Sequence, residues 1–327
     1  MDPICHLLVV KDLTTSFKIR RGIFPAIRNI SFHLSENETL ALVGESGCGK
    51  SITALSIMRL VPEPAGRITS GQILFKEKNL LELSEDRMRK IRGNQMAMIF
   101  QEPMTSLNPV LTVGLQITEP LFYHQSISKK DGKEKALEIM RQVRIPSAEN
   151  RFSDYPHQFS GGMRQRVMIA MALACQPDII MADEPTTALD VTIQAQILSL
   201  LADLKQERKM SMIFITHNLG IVARIADRVA IMYGGEIVEI SGVNDLFDHP
   251  VHPYTEALLS SVPRIDRTLQ KLSFIPGQVP SIDRMPQGCH YATRCLLKRE
   301  TCEQQDPDLI PIHDVPDHFV RCWVRGG

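Results

Sequence analysis

Eight residues, "GESGCGKS" from Gly44 to Ser51, fit the pattern G-x-x-x-x-G-K-[ST] and lie between a short apolar run and a helix-like run. Glycines at those spacings let a loop turn so tightly that successive backbone N–H groups point inward at phosphate oxygens, and the following helix adds the positive end of its dipole. Gly44, Glu45, Ser46, Gly47, Cys48, Gly49 and Ile52 would then surround a polyphosphate, with Lys50 reaching its terminal phosphates and the Ser51 hydroxyl holding Mg²⁺. A second run, "IIMADEP", ends in two acids. Asp183 can bind Mg²⁺ directly or through water, and Glu184 can polarise an attacking water. Gln101, after "MAMIF", can contact the metal or that water. His217, after "SMIFIT", can hydrogen-bond a terminal phosphate and steady Glu184. Cys48, at a helix start beside Lys50, could carry a lowered thiol pKa and be open to alkylation; the plainer reading is a small buried side chain.

A further stretch, "FSGGMRQRVMIAMALACQP", opens a long helix with Ser160, Gly161 and Gly162, followed by Met163. The Ser160 hydroxyl and the two glycine amides make a second anion-binding helix start. One triphosphate tail does not need two such cradles in one chain. A dimer in which each nucleotide is held between the Lys50 loop of one subunit and the Ser160 loop of another accounts for both.

The elements that must carry these residues are legible as apolar runs. "TLALVG", "MAMIF", "DIIMAD" and "SMIFITH" have strand length, and between them lie segments of helical spacing such as "KSITALSIMRLV" and "IQAQILSLLADLKQE". Such alternation predicts a parallel sheet buried on both faces, with the polar groups gathered beyond the carboxyl ends of its strands. Ahead of it, "HLLVVKDLTTSFKI" and "NISFHLS" alternate apolar and polar residues and read as antiparallel strands. After it, "DRVAIMYGGEIVEI" reads as a strand pair turning at Gly234 and Gly235.

With 327 residues the chain has room for a large core and an appendage, and 37 basic against 37 acidic residues argue against a nucleic-acid-coating protein. Neither a secretory leader nor a run of the eighteen or so apolar residues that a membrane span needs is visible, so a soluble cytosolic chain is expected. Four of the seven cysteines, Cys289, Cys295, Cys302 and Cys322, fall at spacing C-x5-C-x6-C-x19-C after a Pro-rich connection. The tight pairs usual in zinc sites are missing, and looser spacing suits an iron–sulfur cluster; zinc, and unliganded or disulfide-bonded thiols, remain alternatives. Cys5, Cys48 and Cys175 lie outside that pattern and are expected to be free.

The ordered set "GESGCGKS", "IFQEPMTSLNP", "FSGGMRQR", "IIMADEPTTALD" and "ITHNL" resembles the ATPase subunit of an ABC transporter. The resemblance implies an α/β fold: a P-loop NTPase core of RecA-like type, an antiparallel β subdomain and an α-helical signature subdomain at about 102–170, together spanning 1–245. It implies ATP and Mg²⁺ as ligands, with the metal held by Ser51, Gln101 and Asp183. It also implies that Ser160, Gly161, Gly162, Met163 and Asp190 face a partner's nucleotide, and that Phe17 stacks on adenine. Cys48, Met163 and Asn218 stand where relatives often carry Ser, Gln and Asp.

The tail, "HPYT" then "PGQVP" and the cysteines, resembles the extension of oligopeptide and dipeptide importer ATPases, here 246–327. In them four such cysteines hold a [4Fe-4S] cluster, read here as a structural clasp, with Zn²⁺ the alternative. This implies two transmembrane permease subunits, a homologous second ATPase, an extracytoplasmic solute-binding protein, no nucleic acid, and a peripheral place on the cytoplasmic face of a bacterial inner membrane. A soluble ABC ATPase not coupled to transport, or an importer of a non-peptide solute, would share the site chemistry. A P-loop kinase or GTPase would explain neither "FSGGMRQR" nor His217.

Overall fold

Alternation of apolar and polar side chains builds β1 (Leu8–Ile19), which pairs antiparallel with β2 (Gly22–Leu34) through Leu8↔Leu34 and Phe17↔Phe24. The computed structural model describes residues 6–187, 189–261, 275–313 and 315–326, so Cys5 and the stretch 262–274 lie outside the described residues. The chain divides into two units, Met1–Leu81 with Ile215–Gly327, and Glu82–Phe214. In the first, β3 (Thr39–Val43) is wholly buried, α1 (Lys50–Ile57) follows the glycine loop, and β4 (Gly66–Phe75) and β5 (Lys78–Asn79) complete an antiparallel sheet of order β2-β1-β4-β5. Buried Thr15 on β1 donates its hydroxyl to Ser56 of α1 at 2.7 Å, because the Ser56 proton is already given to the Ile52 carbonyl. That bond ties the sheet to the helix behind the loop.

In the second unit α2 (Glu85–Ile91) leads to β6 (Met96–Ile99). Then come α3 (Pro103–Ser106), α4 (Val113–Gln125), α5 (Lys129–Gln142), α6 (Ala148–Arg151) and α7 (Gly161–Leu173). β7 (Ile179–Asp183), α8 (Val191–Arg208) and β8 (Ser211–Thr216) follow, and the end of β8 carries the chain back to the first unit. β6 and β7 are parallel, Met96 opposite Ile179 and Ile99 opposite Ala182. Helix starts are set by side-chain caps: Thr112 accepts from the Leu115 amide, Ser128 from Asp131, Ser160 from Met163 and Asp190 from Ile193. The last carbonyl of α7, Leu173, accepts from Arg208 at 3.2 Å, a cation on the negative end of that helix.

Back in the first unit are α9 (Leu219–Ile225), β9 (Arg228–Tyr233), β10 (Glu236–Gly242), α10 (Val243–Asp248), α11 (Pro253–Ser260), α12 (Glu300–Gln304), β11 (Ile310–Pro311) and β12 (Phe319–Val320). β9 runs parallel to β3 and antiparallel to β10, and their connection is Gly234 and Gly235 with φ of 55° and 84°, a turn that needs positive φ at both residues. β12 adds to the far edge of β10, Glu239 opposite Val320, so the end of the chain is sewn into the sheet that carries β3. One core joins them: Val43, Ile231, Tyr233, Val238 and Leu246 pack with Tyr254 and with Tyr291 from the cysteine-bearing segment. Rings of Tyr233, Tyr254 and Tyr291 meet with centroids 4.8 to 5.3 Å apart in edge-on and tilted pairs.

Fully buried Glu239 holds the join. Its carboxylate accepts from the Val251 and His252 amides at 2.8 and 2.9 Å and from His318 Nε2 at 2.8 Å. Burial alone would raise its pKa, but these donors outweigh it and hold the carboxyl below its ordinary 4.5. A pKa lowered by folding stabilises fully above that ordinary value and less as pH falls through the folded one. Glu239→Ala, which leaves buried donors without an acceptor, should cost about 3 kcal/mol at pH 7. Thermal unfolding of both proteins at pH 7 and pH 4 checks this: the gap should narrow in acid, and equal midpoints at pH 7 would contradict it.

Candidate functional site

The glycine loop leaves β3 at Val43 and is shaped by what surrounds it. A Cβ on Gly44 would lie 2.2 Å from the Met232 carbonyl oxygen, and one on Gly49, where φ is 103°, would lie 2.7 Å from Ile27 Cγ2. Only glycine lets the backbone pass there. From the β9–β10 turn, the Gly235 amide donates to the Cys48 carbonyl at 3.0 Å, and Gly235 O accepts from the Arg28 amide at 2.8 Å. Lys50, the first residue of α1 and 5% exposed, spans the loop: its ammonium donates to Gly44 O at 2.8 Å and Glu45 O at 3.0 Å. Ser51 and Ile52 follow in the first helical turn, half-buried, while Ser46 and Gly47 are exposed. A buried lysine beneath a ring of backbone amides at a helix start fits a nucleotide's phosphates.

Cys48 corrects one expectation. Its thiol is fully buried, and burial pushes its pKa up despite Lys50 nearby, so the reactive, alkylation-prone reading does not hold. Phe17 lies half-buried on β1, its ring so close to Gly66 that a Cβ there would sit 2.7 Å from Phe17 Cε1. His217 is exposed directly after β8. Asn218 caps α9, accepting from the Gly220 amide at 2.9 Å and the Ile221 amide at 3.4 Å, the role an aspartate would play.

In the second unit, Asp183 is the last residue of β7 and 6% exposed. Glu184 follows with φ of 44°, a left-handed conformation that a non-glycine residue adopts at a cost. It turns the chain sharply at the strand end. One carboxylate oxygen of Glu184 accepts from the Gln101 amide at 3.4 Å and from the Thr187 hydroxyl at 2.8 Å. Gln101 and Glu184 are thus brought together, and Thr187 is a partner that no sequence pattern announces. Ser160, Gly161 and Gly162 open α7, and a Cβ on Gly162 would fall 2.6 Å from Ile193 Cγ2 of α8. The starts of α7 and α8, with Met163 on one and Asp190 capping the other, are therefore side by side.

The cysteine segment wraps the glycine loop's own support. His290 Nδ1 donates to Gly234 O at 2.7 Å, and Arg28 bridges Glu236 and Asp306 at 2.7 and 2.5 Å. Tyr254 and Arg294, which sequence reading passed over, both reach Glu45: the Glu45 amide donates to the Tyr254 hydroxyl at 3.1 Å, and Arg294 Nη1 donates to the Glu45 carboxylate at 2.9 and 3.1 Å. The Cys289 amide donates to the Cys302 carbonyl at 2.8 Å. Burial pushes the Cys289 thiol up to about 12 and also raises Cys295, with Cys302 and Cys322 adding to both. The four thiols thus share one neighbourhood. Even so, among the described residues no group of three or more His, Cys, Asp or Glu side chains is disposed to hold a metal ion, so the expected [4Fe-4S] cluster or Zn²⁺ finds no ligand set here. Backbone amides engage two of the sulfurs: Cys302 Sγ accepts from the Arg299 amide and Cys322 Sγ from the Val324 amide. Among the described residues the six cysteines form no disulfide.

Comparison with known proteins agrees with this geometry. The family profile described as "ABC transporter" matches residues 27–187, and that described as "Oligopeptide/dipeptide transporter, C-terminal region" matches residues 238–302. A probable peptide ABC transporter ATP-binding protein of Sinorhizobium fredii is 52% identical over 97% of this chain and 94% of its own length. The oligopeptide transport ATP-binding protein OppD of Bacillus subtilis is 51% identical over 99% of this chain and 90% of its own. Among solved structures, the dimeric ATP-binding cassette MJ0796 bound to ADP and Pi superposes with a TM-score of 0.65 at 28% identity, over 72% of this chain and 98% of that one. The fold, its antiparallel sheet and its helical part match that cassette, and the chain belongs to the family of ABC transporter ATP-binding proteins.

Proposed function

We propose that this chain is the ATP-hydrolysing subunit of a bacterial peptide importer, spending ATP to drive uptake of di- or oligopeptides through partner permeases. The observation that carries the reading is near-50% identity to oligopeptide and dipeptide transport ATP-binding proteins over almost the full length, continued by the match of 238–302 to their C-terminal region. Among the described residues no helix is long and apolar enough to cross a membrane, so the pore belongs to other chains: two permeases, fed by an extracytoplasmic solute-binding protein. A homologous second ATPase would supply the facing site, with the pair peripheral at the cytoplasmic face of the inner membrane. The division at about residue 245 into a cassette and an extension is part of the same reading.

In this reading amides of the Gly44–Ser51 loop other than that of Glu45, which Tyr254 takes, hold the nucleotide's phosphates with the Lys50 ammonium, and Phe17 takes the adenine. Ser51, Gln101 and Asp183 would hold Mg²⁺, which neutralises phosphate charge when bound. Glu184 orients water for attack on the γ-phosphate, steadied by Gln101, while His217 and Lys50 stabilise the charge that develops. Ser160, Gly161, Gly162, Met163 and Asp190 address the partner's nucleotide. The [4Fe-4S] cluster, with Zn²⁺ as alternative, rests on cysteine spacing and family resemblance alone, and no step depends on it.

Glu184→Gln should lower ATP hydrolysis by roughly 10²- to 10⁴-fold and leave ATP binding intact, since it removes a proton acceptor and not a phosphate contact. Normal turnover by that variant, measured as phosphate release from the assembled transporter, would contradict the assignment. Anaerobic purification with iron, zinc and sulfide analysis decides the cysteines. About four irons and four sulfides per chain, lost in Cys295→Ser, are the result expected of a cluster, and a metal-free chain with reactive thiols removes it.

A further inference from the structure

Glu45 puts a carboxylate into a loop whose amides and lysine are arranged for anions. Left alone, that charge would repel the phosphates the loop is built to hold. The C-terminal segment answers it. Arg294 is 4% exposed at its side chain, and its Nη1 donates to both oxygens of the Glu45 carboxylate at 2.9 and 3.1 Å. The guanidinium is itself fixed: Nε donates to Pro276 O at 2.8 Å, Nη2 to Ile275 O at 3.3 Å, Nη1 also to the Tyr233 hydroxyl at 3.4 Å, and Cζ lies 5.6 Å from the centre of the Tyr233 ring. Tyr254 holds the same residue from the main chain by accepting from its amide, and the Glu45 carbonyl accepts from Lys50. A continuous chain of bonds thus runs from the cysteine segment through Glu45 to the lysine of the phosphate loop.

We propose that Arg294 is a positioning residue for nucleotide binding: it neutralises Glu45 and fixes the phosphate loop, making the C-terminal segment a working part of the ATP site. This rests on the ATPase reading above. The segment's contribution is then electrostatic and geometric, delivered about two hundred and fifty residues away in sequence, 249 between the bonded pair. Because Arg294 neighbours Cys295, whatever disturbs that thiol's surroundings is placed to disturb ATP affinity.

The test is displacement of trinitrophenyl-ATP by Mg²⁺-ATP on the full chain, for the wild type, Arg294→Met, Arg294→Lys and Arg294→Met with Glu45→Gln. Methionine keeps an aliphatic stem over Tyr233 and removes the charge. Arg294→Met should weaken ATP binding about tenfold, a typical size for coupling between linked sites. Arg294→Lys should recover most of it, and adding Glu45→Gln should relieve the loss, because no charge is then left to neutralise. Should Arg294→Met fail to fold, Arg294→Gln, which keeps hydrogen-bond donors and removes the charge, carries the comparison: it should bind ATP several-fold more weakly than wild type and Arg294→Lys, and equal binding by all three overturns the proposal. Unchanged affinity in Arg294→Met overturns it, as does a loss that Glu45→Gln leaves in place, which would mark a merely structural arginine. A wild-type chain that does not bind ATP would instead sink the ATPase reading, and this inference with it.

Discussion

Three groups of Glu45 are held by three different parts of the chain: its amide by Tyr254, its carbonyl by Lys50, its carboxylate by Arg294. The constraint behind this arrangement is general. A loop that turns most of its amides inward to meet an anion has few left for its own structure, so much of its shape must be imposed from outside. Here the imposition comes from the β9–β10 turn, which bonds Cys48 through Gly235, and from the segment that closes over that turn through His290. The buried Glu239 cluster and the three edge-on and tilted tyrosines keep the segment in place.

Much of the site was legible because its chemistry needs particular residues at particular spacings. The glycine loop, the acid pair at the end of β7, the glutamine after β6 and the serine–glycine helix start could all be read from one sequence, and so could the glycine turn at 234 and 235. The fold was read less evenly. Strand β2 begins at Gly22, well before the "NISFHLS" that alternation marks, because Pro25 and the exposed start carry no apolar signal and pairing with β1 alone extends it. Strand β4 went unread since "TSG" at 69–71 looks like a turn; in the sheet Gly71, with φ of 100°, faces the bulge at Asp12 and Leu13.

What could not be read is long-range. Arg294 and Glu45 are separated by most of the chain, and an arginine between two cysteines in a loop-rich tail has no local pattern that announces its partner. Burial decided Cys48 against its sequence context: a neighbouring lysine lowers a thiol pKa, but complete desolvation raises it more. For the four distal cysteines, spacing gave proximity, since their thiols share one neighbourhood, but proximity is a weaker condition than a coordination shell.

If the C-terminal segment is part of the nucleotide site, linkage makes the relation reciprocal: ATP must stabilise the segment as much as the segment stabilises bound ATP. Hydrogen exchange on the intact chain, with and without saturating Mg²⁺-ATP in the slow Glu184→Gln background, reads this directly. ATP should slow exchange at the amides of Ile275 to Cys295 together with those of the phosphate loop. Protection confined to the phosphate loop, with the segment exchanging at the same rate in both states, would contradict it.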